Sequence, residues 1–260
     1  MTIKIVVLVK EVPDTYGDRK LDLITGLADR AASESVLDEI REGALEAALS
    51  FADASRDAEV VAMSMAPSSA EASLRRCLAL GAASAVHIVD EELLGADLGL
   101  TAEVLAAAVR RIGYDLVIAG NLSTDGSGGV LSAMISELLD APAALNLTSL
   151  EISETSAAGI RSTDAGTVEV EAMFPAVVSI TEALPEARLP NFKGIMAAKK
   201  KPLEVLCLAD LGVEALPADG ARSIVISLTE KPPRAAGLKI VDEGDAGDRL
   251  ALFLLENRLA

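Results

Sequence analysis

Short apolar runs rich in β-branched residues alternate with stretches of helical periodicity through the first half of the chain. Such runs are typical of buried strands, and apolar residues spaced three and four apart are typical of helices packed on a sheet. The pattern predicts strands at 3–9, 59–64, 85–89 and 115–119, and helices at 35–48, 70–80, 101–112 and 130–139. Ser33 or Ser35 is the predicted cap of the first helix. Strands that alternate with helices predict an α/β fold with a parallel, doubly wound sheet.

The pattern changes after Ala143, where strands follow one another without helices between them. We predict strands at 147–152, 158–162, 167–172 and 176–181, which form an antiparallel flap on or beside the sheet. Prolines then interrupt the chain repeatedly, which is typical of an extended arm, and the periodicity of 247–259 predicts a final helix. The expected organisation is an α/β domain with its flap at 1–184, a loop at 185–201 and a C-terminal arm at 202–260.

Composition narrows the classes of function. Hydrophobic residues make up 51% of the 260 residues and charged residues 24%, which favours a large buried core over disorder. The formal net charge of −17 argues against nucleic acid as a partner, because Lys and Arg must neutralise phosphates there. We also expect no direct insertion into a membrane, since no uncharged apolar stretch reaches the length that spans a bilayer.

Cys77 and Cys207 are the only cysteines, and neither belongs to a CxxC motif. This usage predicts a reducing compartment, and we expect a cytoplasmic protein. Cys77 lies on an apolar helical stripe, which favours a place in the core. His87 lies inside an apolar strand without an evident Ser or Cys partner, so a structural role is favoured. We find no catalytic triad, metal cluster or carboxylate pair in the sequence, and expect no catalytic residue.

A glycine-rich loop follows the fourth predicted strand and leads into a helix. In a Rossmann-like sheet, ligands bind at the carboxyl ends of strands, here after Val9, Ser64 and Ala119. Glycines let backbone amides approach an anion, and a helix N-terminus favours a phosphate. The loop matches neither GxGxxG nor the lysine-containing phosphate loop of NTPases. Two interpretations stay open: a site for a held monophosphate, or a surface turn before a capped helix.

Carboxylates near these strand ends also allow two interpretations. Asp125 either orients a hydroxyl or amino group of a ligand, or bonds its own backbone in the turn. Asp38, Glu39 and Glu42 either meet a ribose or form a solvated helix face. Further along, apolar residues stand between chain breakers just before the basic run 199–201. An exposed Leu189 or Phe192 there is suited to anchor a protein partner.

Several segments together resemble the β subunits of electron-transfer flavoproteins. They match in order along nearly the whole chain, and they lie at 9–15, 37–46, 123–126, 174–180, 195–201 and 232–239. The resemblance implies a heterodimer with an α subunit that carries most of the FAD site, and a C-terminal arm at 202–260 that packs on it. It also implies a structural AMP in the present chain, with bifurcating members holding a second FAD in that place. A stand-alone adenine-nucleotide-binding protein is the other alternative.

The resemblance assigns roles to individual residues. The AMP contacts fall on the three strand ends, at Leu8, Asp38, Glu39, Ile40, Arg41, Met65, Gly120, Asn121, Ser123, Thr124, Asp125, Gly126, Ser127, Gly128, Gly129 and Val130. Tyr16 lies near the position of an aromatic that approaches the flavin ring. The partner-recognition loop matches 185–201, with Phe192 as the anchor and Leu189, Ile195 and Met196 beside it.

Through that loop the family accepts electrons from acyl-CoA and related dehydrogenases, as in fatty acid β-oxidation. It delivers them to a membrane-bound electron-transfer flavoprotein quinone oxidoreductase. The sequence departs from the family pattern at three positions. Asp38 stands where the family often has Asn, Val130 where it often has Gln, and Ser162 where an acidic residue follows Arg161.

Overall fold

The strand Ile3–Leu8 lies at the centre of the sheet because nearly all of its apolar side chains are buried on one face or the other. In the computed structural model, residues 2–17, 19–55, 57–215, 222–234, 237, 239 and 241–259 are described. Their strands are β1 Ile3–Leu8, β2 Glu11–Pro13, β3 Ser35–Leu37, β4 Ala58–Met65, β5 Ser84–Ile88, β6 Leu116–Gly120, β7 Ala143–Leu147, β8 Glu151–Ile152, β9 Ser156–Thr163, β10 Gly166–Met173, β11 Ala176–Ile180 and β12 Leu203–Leu206.

The helices of the same residues are α1 Glu39–Ala54, α2 Glu71–Leu80, α3 Leu98–Ile112, α4 Leu131–Leu139, α5 Phe192–Ala198, α6 Leu208–Leu211 and α7 Ala246–Glu256. The sheet runs in the order β10-β9-β7-β11-β6-β1-β4-β5-β12, with β8 paired to β9. All neighbours from β7 to β12 are parallel, whereas β9 is antiparallel to both β7 and β10. The predicted α/β fold with a mainly parallel sheet is confirmed.

Two apolar layers cover the two faces of the sheet. Ile5 and Val7 of β1 pack in one layer with residues of α1 and α2. Val6 and Leu8 point the other way and pack with residues of α3 and α4. Successive strand residues face opposite sides, so a strand buried on both faces needs an unbroken apolar run. The sequence Ile-Lys-Ile-Val-Val-Leu supplies that run almost completely.

The first helix begins later than the sequence predicts. Residues 35–37 form β3, which pairs antiparallel with β2, and α1 begins at Glu39. Ser33 and Ser35 therefore do not cap the helix, and that prediction is wrong. Asp38 precedes the helix, but its side chain makes no capping hydrogen bond. The backbone N–H of Asp38 instead donates to Lys10 O at 2.9 Å, which continues the ribbon as far as the helix start.

The antiparallel flap is smaller than the sequence predicts. β9 and β10 form an antiparallel hairpin, but 176–180 lies inside the parallel sheet, between β6 and β7. Placing that strand in the flap is wrong. All five residues of β11, Ala-Val-Val-Ser-Ile, are buried, as in a central parallel strand. In β10, by contrast, most residues are exposed, as in an edge strand.

The chain divides into two compact units, Met1–Ile226 and Ser227–Ala260. The first unit includes β12, which pairs in parallel with β5, so the sheet extends beyond the boundary predicted at residue 202. The second unit contains α7, none of whose residues is buried. Within the part of the chain that the structure describes, no helix combines the length and apolarity needed to cross a membrane.

The two residues assigned to the core both lie there. His87 is buried in β5, and its Nε2 lies 3.2 Å from Ala66 O, a contact that accounts for it structurally. Cys77 is fully buried in α2, and burial raises the pKa of its thiol to about 12. Cys207 is partly exposed, and neither cysteine is in a disulfide.

Because the thiolate is the reactive form, the two cysteines should differ sharply toward an alkylating reagent. At about pH 8, Cys207 should be modified in the native protein, and Cys77 only after unfolding. Mass spectrometry of the alkylated peptides gives the measurement. Cys207→Ser serves as the control and should show no native modification. Native labelling of Cys77 would contradict its place in the core.

Candidate functional site

Three strand ends meet at one edge of the sheet. β6, β1 and β4 are adjacent and parallel, so Gly120, Leu8 and Met65 end side by side. The N-terminus of α1 reaches the same edge, because a Cβ at Gly120 would lie 3.1 Å from Ile40 Cγ2 and 3.3 Å from Arg41 Cγ. Glycine at this position therefore permits the close approach of α1 to the end of β6. The strand ends chosen from the sequence are brought together.

The loop 121–130 leaves the sheet in a conformation that suits small residues. Ser127 and Gly129 both have positive φ, at 49° and 67°, in the left-handed region that favours glycine. Gly126, Ser127, Gly128 and Gly129 are exposed. Val130 precedes α4 without a side-chain capping hydrogen bond. Backbone amides at such a helix start are suited to receive an anion.

Asp38 joins the start of α1 to this loop. Its Oδ2 accepts hydrogen bonds from Thr124 N at 2.8 Å and Thr124 Oγ1 at 2.9 Å. Its Oδ1 is buried and has no hydrogen-bond partner among the described residues. A buried carboxylate oxygen without a partner costs free energy, so a ligand that donates a hydrogen bond to it would bind favourably.

Arg41 presents a complementary donor one helical turn later. The side chain is buried, and Nη1 makes only a long contact of 3.5 Å to Leu8 O. Its Nε is buried and has no partner among the described residues. Burial lowers the pKa of the guanidinium, while the nearby carboxylates of Asp38 and Asp125 act to raise it. The group stays charged at neutral pH, since an arginine pKa lies far above 7.

Lys10 reaches the loop although the loop itself contains no lysine. Its Nζ lies 2.7 Å from Asp125 Oδ1 and 3.3 Å from Ser123 Oγ. Burial lowers the pKa of Lys10. Burial acts to raise the pKa of Asp125, but the hydrogen bond and charge of Lys10 outweigh it, so this pKa lies below its ordinary value. Asp125 is thus an ion-pair partner, which neither interpretation from the sequence included.

Sequence reasoning missed Lys10, which directly follows the β1 end, and two further cations. Arg30 Nη2 lies 3.6 Å from Asp125 Oδ2, and Arg19 Nη2 donates to Thr124 Oγ1 at 3.1 Å. Both belong to the irregular segment after β2, whose path the apolar pattern does not determine. The position of Lys10 at a neighbouring strand end was the one signal available in the sequence.

The other proposed contacts are placed less uniformly. Ile40 is buried, Met65 is half-buried, and Asn121 is held at the loop start by a bond from its N–H to Ile180 O at 2.8 Å. Glu39 is exposed, which separates it from its buried neighbours. Val130 is partly exposed, and Tyr16 is 99% exposed and free to face a partner.

The segment 189–201 presents an apolar surface from a firmly held helix. The docking face, as we name it, consists of exposed side chains on and beside α5, namely Leu189, Phe192, Ile195 and Met196. Behind it, Gly194 packs so closely on Ala79 O that a side chain there would collide with it. Asn191 Oδ1 caps α5 by accepting from Gly194 N at 2.8 Å.

Lys201 stabilises this arrangement instead of remaining in solvent. Its Nζ donates to Leu78 O, Gly81 O and Ala82 O at 2.9, 3.1 and 2.7 Å, at the C-terminus of α2. Arg75 of α2 donates in return to Ala198 O and Lys201 O, both at 3.2 Å. A cation at a helix C-terminus stabilises the orphan carbonyls there. Of the basic run, Lys199 and Lys200 are exposed.

The fold is a doubly wound α/β sheet with a ligand-type loop at its strand ends. A family model described as electron transfer flavoprotein domain matches residues 25–211. The electron transfer flavoprotein subunit beta of Mycobacterium leprae is 43% identical over 262 residues, which are 98% of each chain. That of Bacillus subtilis is 32% identical over 209 residues, 80% of each chain. The caffeyl-CoA reductase-Etf complex subunit CarD of Acetobacterium woodii is 32% identical over 211 residues, 81% of this chain and 80% of that one.

The chain belongs to the electron transfer flavoprotein family and is similar along its length to β subunits. The family consists of electron carriers, which differ from classical enzymes, and it is associated with a flavin. A β subunit implies an α subunit as its partner. The resemblance noted in the sequence is confirmed at this level.

The hydrogen bonds of Asp38 predict a graded loss of stability. Asp38→Ala leaves Thr124 N–H without its acceptor and should cost about 1–3 kcal/mol of unfolding free energy. Asp38→Asn keeps an acceptor oxygen and should cost less. Thermal unfolding of the protein purified with its partner measures both as shifts of the midpoint. Equal losses for the two variants, or none for alanine, would contradict the assigned role.

Proposed function

We propose that this chain holds an AMP at the edge formed by β6, β1 and β4. The observation that carries the proposal is the pair of buried, unpartnered polar atoms, Asp38 Oδ1 and Arg41 Nε, beside the glycine-rich loop. One is an acceptor and the other a donor, so a fitting ligand offers both kinds of group. A nucleotide does so, with its hydroxyl or amino donors and its phosphate acceptors.

The balance of charge at the site supports a monophosphate. Lys10, Arg19, Arg30 and Arg41 lie around the loop, while Asp38 and Asp125 offset part of their charge. The cations outnumber the carboxylates, which favours an anion, but two of them are already engaged with Asp125. A triphosphate brings more negative charge and usually requires a metal or a dedicated lysine.

Each group has a part in holding the nucleotide. The amides of 126–129 and the start of α4 would receive the phosphate, with Ser123 and Ser127 adding hydroxyl donors. Asp38 Oδ1 would accept from a ribose hydroxyl or an adenine amino group, and Arg41 Nε would donate to a ligand oxygen or ring nitrogen. Leu8 and Ile40 are buried at the same edge and would exclude water from an adjacent base.

The electron-carrying group in this proposal is an FAD held mainly by the α subunit. When bound, that flavin supplies the redox chemistry, and the present chain contributes shape and contacts. Tyr16 is exposed in the segment before β3 and would contact the flavin from the β-subunit side. The apolar residues of α7 that are exposed, Leu250, Leu252, Phe253 and Leu255, support packing of the C-terminal unit on the α subunit.

The docking face supports an exchange of partners. Phe192 and Leu189 are 80% and 82% exposed, although large apolar side chains favour burial. A helix held from behind by Gly194 and Lys201 presents them without a large entropic cost on binding. We propose that this face receives acyl-CoA and related dehydrogenases as electron donors. The complex then passes the electrons to a membrane quinone oxidoreductase, and a cytoplasmic location stays a prediction.

Arg41 gives a direct test of the nucleotide site. Arg41→Met should lower the AMP recovered from the denatured heterodimer well below one per complex while FAD content stays unchanged. The reason is that Arg41 Nε has no other partner among the described residues. Chromatography of the extracted cofactors supplies both numbers.

Arg76→Met is the matched control, because Arg76 pairs with Glu42 at 2.8 Å on the neighbouring helix α2, and AMP should persist in it. An unchanged AMP content in Arg41→Met would count against the site. Two FAD and no AMP per wild-type complex would replace the proposal with the bifurcating alternative.

Phe192 gives the corresponding test of the docking face. Phe192→Ala should slow electron acceptance from a reduced acyl-CoA dehydrogenase and leave flavin and AMP content intact, since the side chain is an exposed anchor. Stopped-flow reduction of the flavin measures the rate.

The control is Leu94→Ala, because Leu94 is equally apolar and exposed but adjoins the apolar layer on the other face of the sheet. Transfer kinetics that match wild type in Phe192→Ala would remove the assignment.

A further inference from the structure

Arg188 attaches the start of the docking segment to α1 through every polar group it has available there. Its Nε donates to Glu46 Oε2 and its Nη2 to Glu46 Oε1, both at 2.8 Å. Its backbone N–H donates to Glu46 Oε2 at 2.9 Å, and its Nη1 to Asp53 Oδ2 at 2.7 Å. The guanidinium therefore bridges two carboxylates one face apart on the same helix, in a bidentate geometry that a lysine cannot reproduce.

The carboxylate of Glu46 is prepared for this contact. Ser50 Oγ donates to its Oε1 at 2.8 Å, and its side chain is only 15% exposed. Burial acts to raise the pKa of Glu46, but the hydrogen bonds from Arg188 outweigh this effect and the pKa lies below its ordinary value. Glu46 is thus ionised throughout the neutral range. Most exposed ion pairs contribute little, but a partly buried, bidentate network is the kind that does contribute.

The position of Arg188 in the chain gives the network its significance. On the C-terminal side, Gly194, Ala198 and Lys201 hold α5 against α2. On the N-terminal side, Arg188 directly precedes Leu189 and lies one helical turn's worth of residues before Phe192. The two most exposed side chains of the docking face therefore lie between two attachments, one to α2 and one to α1.

We infer that Arg188, with Glu46 and Asp53, is a latch that sets the orientation of the docking face before a partner arrives. The inference rests on the proposed docking function of Leu189 and Phe192. Arg188 is a positioning residue, since its guanidinium is turned toward α1 and engaged there. Loss of the latch should leave the electron-transfer step itself intact and weaken the encounter, because the segment must then be ordered on binding.

The test combines hydrogen exchange with steady-state kinetics on the heterodimer. Arg188→Ala should speed amide exchange in 189–193 and raise the half-saturating concentration for electron acceptance from an acyl-CoA dehydrogenase reduced by octanoyl-CoA. We expect about threefold to tenfold, the cost of ordering one or two side chains on binding. The limiting rate constant and the flavin and AMP content should not change. Arg188→Lys keeps the charge but not the bidentate geometry and should lie between wild type and alanine.

Two further variants separate the latch from general loss of an ion pair. Glu46→Ala combined with Arg188→Ala should add little to either single change, because both residues belong to one network. Arg111→Gln removes a partly exposed arginine near Glu204 and Asp210, in a different part of the fold, and should leave exchange in 189–193 and the kinetics as in wild type.

The outcomes distinguish the latch from the docking function beneath it. Unchanged exchange in Arg188→Ala overturns the latch. Faster exchange with unaltered half-saturation, in a protein where Phe192→Ala does impair transfer, overturns its positioning role alone. If Phe192→Ala also leaves transfer unaltered, the docking function fails, and this inference fails with it.

Discussion

The hydrogen bonds from Thr124 to Asp38 Oδ2 join the two elements on which the candidate site depends. The loop after β6 has no strand partner, and α1 has no side-chain cap at its start. One carboxylate serves both, because it stands at the helix start and accepts from the loop backbone. With that contact in place, Gly120 can approach Ile40, and Arg41 is brought beside Asp125 and the loop. The orientation of Asp38 also leaves its second oxygen buried and available.

Helix α1 consequently contributes to two separate regions of the molecule. Its first turn carries Asp38 and Arg41 toward the strand ends, and its middle and last turns carry Glu46 and Asp53 toward the docking segment. The apolar face between them is fixed in the layer that covers one side of the sheet. A single well-packed helix thus gives both regions a rigid support. This arrangement agrees with a carrier whose surfaces must be ready for partners without catalytic side chains of their own.

Much of the fold was predictable from the sequence because strands buried on both faces require long apolar runs, as at 3–8 and 116–120. The placement of 176–180 was not, since periodicity identifies a strand without naming its neighbours in the sheet. The loop 120–130 was found from its glycines, and Arg41 came from the family resemblance. Lys10 and Arg19 were missed because side chains that converge from distant segments leave no local pattern. The role of Lys201 required the geometry of the α2 C-terminus.

The most direct test of the account is an experimental structure of the heterodimer purified with its natural ligands. We predict an adenine nucleotide with a single phosphate on the backbone of 126–130, a ligand donor within hydrogen-bond distance of Asp38 Oδ1, and an acceptor facing Arg41 Nε. A strand edge filled only by water, with both atoms paired inside the protein, would contradict the central claim. So would a second flavin in that place.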